Sequence, residues 1–186
     1  VNFTDPAATE KYAALVLADG PTAYWRLNET TGETLTDFAG GLNGAYNLAS
    51  VERGVAGPYG IDPDTATLFK QSGVAASVPY TPTLNPTGAF SVEFWAKPNV
   101  SGNASRAIVG TQNRNTGRAG YAIYQGFNGA WWEAHLGTGE TVMFLSGSTA
   151  PVAGRWDHVV MTWNGQDFAG LYVNGRLEAQ DITARP

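Results

Sequence analysis

Residues 155–175 read RWDHVVMTWNGQDFAGLYVNG. Two short apolar strands are legible in the stretch, Trp156 to Trp163 and Phe168 to Val173, separated by an Asn-Gly turn at Asn164 and Gly165. A second Asn-Gly pair, Asn174 and Gly175, launches a third strand. Tight antiparallel turns need positive φ, which Asn and Gly tolerate, so two such pairs this close together predict a β-meander. Within the first strand Trp156, His158, Val160 and Thr162 share one face, while Asp157, Val159, Met161 and Trp163 share the other, because side chains alternate. Apolar residues on both faces suit a strand lying between two layers, and a sandwich is the expected architecture.

Composition agrees. The chain has 186 residues, with 23 glycines, 10 prolines and 12% aromatic residues, a balance that favours strands joined by turns over helices. That length accommodates one large all-β domain, which would bury roughly 70% of its unfolded surface, and no second domain is required. Net charge is −5 with no cluster of Lys or Arg; nucleic acid and anionic membrane surfaces, which need concentrated positive charge, are therefore excluded as expected partners. No apolar run approaches the ~20 residues of a spanning helix, so no membrane insertion is expected. There are no cysteines, which removes disulfides and thiolate metal sites.

Outward from the meander, Phe90 to Lys97 alternates cleanly, placing Phe90, Val92, Phe94 and Ala96 in the core. Ala107 to Gln112, Tyr121 to Gln125, Ala130 to Leu136 and Thr141 to Leu145 supply further strands at the short spacing of a β-sandwich. Nearer the N-terminus, Thr4 to Gly20 is read as a helix, with Asp5 as cap, Pro6 in the first turn, Gly20 as the stop, and Tyr12, Leu15 and Val16 on its docking side. Ala23 to Leu27, AYWRL, is read as a short strand, and the turn-rich segment after it as a long loop able to carry a ligand or an ion. Val51 to Pro58 is read as loop, with brief strands at Ala66 to Phe69 and Val74 to Val78.

The stretches AYWRLNETTG, DFAGGLNGAY, FSVEFWAKP, GYAIY, WDHVVMTW and LYVNG, in that order, resemble a laminin G-like domain of the concanavalin A-like lectin/glucanase superfamily. The resemblance runs from Tyr12 to about Ile182. It implies an all-β fold, a two-sheet antiparallel jelly roll over 21–186 with one short helix, residues 1–20, as connector. It also implies a secreted, extracellular or virion-surface module, often calcium-stabilised. KYAALVLADGPTAYWRL and IDPDTATLF look most like bacteriophage minor tail or virion surface proteins. Members usually continue past the LYVNG hairpin with a glycine-led acidic strand. An incomplete sandwich is therefore expected, its edge beside Ala23 to Leu27 open to a strand from another structural chain.

Candidate sites follow from side-chain chemistry. The Asp37 to Gly44 loop offers the hard oxygen ligands calcium prefers. Through the resemblance, Asp37 and Asn43 would be side-chain ligands and Gly40 a backbone one; a plain turn held by an Asx hydrogen bond is the competing reading. Glycan binding needs exposed aromatic platforms, and Tyr124, Phe127, Trp131 and Trp132 cluster in YQGFNGAWWEAH. Adjacent tryptophans on a strand point to opposite faces, so one of Trp131 and Trp132 belongs to the core. The paired carboxylates of a retaining glycoside hydrolase are absent from one strand face: Glu93 has no partner two or four positions on, and Glu133 is followed by Ala134 and His135. No enzyme is expected. His158 is read as a structural strand residue and His135 as a surface one.

Overall fold

The structure, a computed structural model, describes residues 8–58, 64–70, 73–101, 105–112, 118–126 and 131–183, with side chains from residue 12 onward. Asp5, Pro6 and Phe127 lie outside the described residues. One α-helix, two single-turn 3-10 helices and 13 strands are described, every strand pairing antiparallel. The chain divides into two compact units, Val1–Thr83 and Leu84–Pro186. Their boundary falls in the link punctuated by Pro79, Pro82 and Pro86.

The second unit is the sandwich. Its strands are β6 (Phe90–Ala96), β7 (Arg106–Gly110), β8 (Gly120–Gln125), β9 (Trp132–Gly137), β10 (Val142–Ser146), β11 (Asp157–Trp163), β12 (Ala169–Val173) and β13 (Arg176–Asp181). One four-stranded sheet has the order β10-β9-β8-β7 and the other β13-β12-β11-β6. Period-two alternation sends Tyr121, Ile123, Trp132, Ala134, Met143 and Leu145 from the first sheet into a core shared with Val159, Met161, Trp163, Ala169, Leu171 and Val173 of the second. Phe90, Val92, Phe94 and Ala96 pack against that core, as their alternation predicts. Rings meet within it: Phe94 lies edge-on to Trp132 at 6.1 Å, and Phe90 sits 5.5 Å from Tyr121.

The meander forms with one difference. Asn174 and Gly175, at φ 52° and 78°, make the expected two-residue hairpin between Val173 and Arg176. Asn164 and Gly165 instead open a five-residue loop, 164–168, because the Asn164 carboxamide accepts the N–H groups of Gln166, Asp167 and Phe168. Phe168 is consequently loop, and β12 starts at Ala169.

The first unit holds α1 (Ala8–Ala18), β1 (Thr34–Leu35), β2 (Gly44–Tyr46), β3 (Val51–Ala56), β4 (Thr65–Phe69) and β5 (Ala76–Ser77). The sheet β1-β2-β5 and the hairpin β3-β4 surround a small core of Leu35, Tyr46 and Val51, joined by Trp25, Leu27, Ala76 and Val78. Three expectations are corrected here. Leu15 is 65% exposed, so of the expected docking side of α1 only Tyr12 and Val16 are partly buried, beside the buried Ala13. Val51 to Ala56 is a strand and not a loop; Gly54, at φ 75°, forms a bulge between Arg53 and Val55 that disguises the alternation. Ala23 to Leu27 is not a strand: it makes a single bridge, Trp25 with Asp37, and Leu27 turns away at φ 60°. The strand beside which an open edge was expected does not form.

Candidate functional site

The face of the β10-β9-β8-β7 sheet turned away from the core is built by the residues that alternate with the core set. Ala107, Tyr124, Glu133 and Ser146 stand in one cross-strand row, and Gly110, Ala122, His135 and Phe144 in the next. Tyr124, His135 and Phe144 form an aromatic ladder across three strands. The His135 ring lies 4.7 Å from Tyr124 on one side and 4.7 Å from Phe144 on the other. His135 Nε2 is 2.7 Å from Glu133 Oε1, two positions away on the same strand and therefore on the same face. Both members of the pair are buried. Phe144 is 49% exposed, offering its ring to solvent at the β10 end of the ladder.

At the other end, small side chains on β7 and β8 leave an open depression of about 250 Å³ lined by Ala107, Gly110, Gln112, Ala122 and Tyr124. A Cβ at Gly110 would run into the backbone of Tyr121 and Ala122, so the strands approach closely at its floor. The Gln112 amide is oriented by donating to the Arg118 carbonyl.

The four expected glycan residues separate. Tyr124 contributes to the wall of the depression but is itself buried, and so is corrected as an exposed platform. Trp131 precedes β9 and is 38% exposed. Trp132 is a correction: it has no solvent exposure, and its indole N–H donates to Asp157 Oδ2, so it is a core residue that presents no platform. Phe127 lies outside the described residues. His135 is also corrected, from surface to buried. His135, Glu133 and Phe144 were missed as site residues, although the signal was available: they alternate with Trp132, Ala134, Met143 and Leu145, which fix the core side.

The opposite sheet carries a smaller group on its outer face. His158 stacks on Trp95 at 4.9 Å and 26°, with Nε2 3.5 Å from the Glu93 carboxylate. The bond to His158 holds the Glu93 carboxyl below its ordinary value against the opposing effect of partial burial. This matches the structural reading of His158.

In the first unit Asp37, Gly40 and Asn43 do meet, in an arrangement different from a ligand shell. Asp37 Oδ1 accepts the N–H groups of Tyr24 at 2.7 Å and Ala39 at 2.9 Å; Oδ2 accepts those of Gly40 at 3.0 Å and Leu42 at 2.8 Å. Asn43 Oδ1 accepts the Asp37 N–H at 2.8 Å. Burial pushes the Asp37 carboxyl up, but the backbone donors outweigh it and leave the group below its ordinary value. The Asp37 carboxylate and the Asn43 side-chain oxygen are thus already engaged by backbone amides. Among the described residues no three His, Asp or Glu side chains come together as a metal-ligand group.

Two four-stranded antiparallel sheets closing on one apolar core define an antiparallel β-sandwich. Against known protein families, residues 70–185 match the laminin G type described as the concanavalin A-like lectin/glucanases superfamily. The chain belongs to that superfamily. The match covers the sandwich unit and begins shortly before it. Among curated proteins none matches the sequence.

Proposed function

We propose that this chain is a non-catalytic recognition module, displayed at the surface of a virion or cell, that binds a glycan on the outward face of the β10-β9-β8-β7 sheet. The observation that carries the reading is the half-exposed Phe144 ring at one end of this sheet face and, at the other, a depression floored by small residues, with the buried Tyr124 and His135 rings between them as backing. A sugar ring has apolar faces and polar edges, and an exposed ring sharing a sheet face with a small concavity suits both. Glu133 hydrogen-bonds an imidazole, and position 135, where a hydrolase would carry a second carboxylate on that face, is His. Bond chemistry on the sugar is not part of the proposal. Calcium is not part of it either.

Display on a phage tail or other virion is the setting suggested by the sequence resemblance. Among the described residues no helix is long and apolar enough to cross a membrane. The test is binding to a glycan panel by the wild-type chain, Phe144→Ala and Trp131→Ala. Saturable binding weakened roughly tenfold or more by Phe144→Ala, a loss on the scale of one stacking contact, is expected. Absence of binding across the panel, together with stoichiometric incorporation into a particle, would replace recognition by a purely structural role.

A further inference from the structure

The Asp37 loop contains the residue types a calcium site would use, and both of its candidate side-chain ligands, Asp37 and Asn43, are engaged internally. An ionised carboxylate offers about four lone-pair directions. All four at Asp37 are met by backbone N–H groups, two on each oxygen. An N–H group turns its positive end toward the acceptor, so the space around this carboxylate is already occupied by partial positive charge. A calcium ion needs six to eight oxygen ligands at close range. To reach Asp37 it would have to displace these donors, leaving amides unsatisfied around a buried group, and each such group carries a full desolvation penalty.

The neighbours reinforce the closed arrangement. Asn43 turns its carboxamide oxygen to the Asp37 N–H, although as a ligand that oxygen would face an ion. Gly40 sends its N–H toward the centre of the loop. A Cβ at Gly40 would collide with the Thr22 carbonyl oxygen, which shows how closely the loop is drawn against 22–25. Two further bonds close the same seam: Trp25 Nε1 donates to the Leu42 carbonyl at 3.0 Å, and the Phe38 N–H to the Tyr24 carbonyl at 2.9 Å. The carboxylate joins both sides, because its donors come from Tyr24 across the seam and from residues 39–42 within the loop.

We infer that Asp37 is the loop's own anion, tying residues 37–43 to 22–25 in place of a bound cation, and that the loop holds its shape independently of calcium. This does not rest on the recognition reading, since Asp37 belongs to the first unit.

The experiment is calcium titration calorimetry on the full chain with CaCl2 alone, paired with thermal unfolding in EDTA and in excess Ca2+. No saturable heat and an unchanged Tm are expected for the wild type. Asp37→Asn, which turns an amide NH2 toward the N–H donors, is expected to lower Tm by roughly 5 °C or more, equally with and without Ca2+. A Ca2+-dependent rise in Tm that Asp37→Asn abolishes would overturn the inference, as would an Asp37→Asn variant of wild-type stability. If Asp37→Asn does not fold, the wild-type titration still decides: micromolar calcium binding with a matching rise in Tm refutes calcium independence, and its absence supports it.

Discussion

Asp157 has no solvent exposure, yet its carboxylate accepts from the Trp132 indole, from Nε and Nη2 of Arg155, and from the Asn174 carboxamide. The same Asn174 accepts the His158 N–H, so one side chain joins the hairpin tip to the start of β11. A carboxylate this deeply placed is stable only while its donors remain, and removing one side of such a pair costs far more than the pair contributes. Asp157→Ala is therefore expected to lower the unfolding free energy by about 3–5 kcal/mol. Arg155→Ala should cost a comparable amount, about 3 kcal/mol, because it leaves a carboxylate with no solvent exposure without its cation. Urea denaturation of the two variants checks this; a loss below about 1 kcal/mol for Arg155→Ala would show that the buried carboxylate does not depend on that donor. In the sequence, one of Trp131 and Trp132 was readable as core and Asp157 as sharing a face with Val159, Met161 and Trp163, but the contact of Trp132 with Asp157 joins positions 25 apart in the chain. No local pattern encodes that distance. His135 was legible by alternation alone once Trp132 and Ala134 were assigned to the core.

At the scale of elements, the two sheets are fastened by a turn as well as by apolar packing. Glu178 in β13 accepts the N–H groups of Ser148 and Thr149, each at 2.8 Å, and the Thr149 hydroxyl, holding the segment after β10. Partial burial pushes the Glu178 carboxyl up, and these donors more than offset it, so its folded value lies below the ordinary 4.5. For a depressed carboxyl the stabilisation is present above the unfolded value and is lost as pH falls through the folded one. Unfolding free energy of the wild type should therefore decline as pH drops below about 4.5. Glu178→Gln should show a shallower decline over that window, measured by denaturant titration at each pH. Identical slopes would exclude the clamp. Other elements show why local reading stopped short. The AYWRL segment has strand composition, but the Tyr24 N–H goes to the Asp37 carboxylate instead of a neighbouring strand. The Asn164 side chain likewise competes with backbone pairing and widens a two-residue turn into a loop.

For the whole molecule, all-β architecture and the sandwich were readable from alternation and turn chemistry, and the superfamily match agrees. The partition into two compact units was not, because it depends on which strands pair across long separations. Net charge of −5 without a basic cluster leaves no strong field to steer an anionic partner. If the ladder binds a neutral glycan, affinity should change less than about twofold between 0.1 and 1 M salt, over which the screening length falls from about 10 Å to about 3 Å. Calorimetry at the two salt concentrations tests this, and a fall of orders of magnitude would point to a polyanionic ligand instead.

The pairing of β6 with β11 bears on how the chain is made. Ala96 lies opposite Asp157 and Phe90 opposite Trp163, so each bond of that ladder closes a loop of about sixty residues or more. The sheet β10-β9-β8-β7 joins only successive strands and can form while the chain is still emerging from the ribosome. The apolar stripe of β6 has to wait for β11. During synthesis Phe90, Val92 and Phe94 stay without their partner strand until Trp163 has been added, and that interval is when the nascent chain is most open to aggregation or to capture by a chaperone.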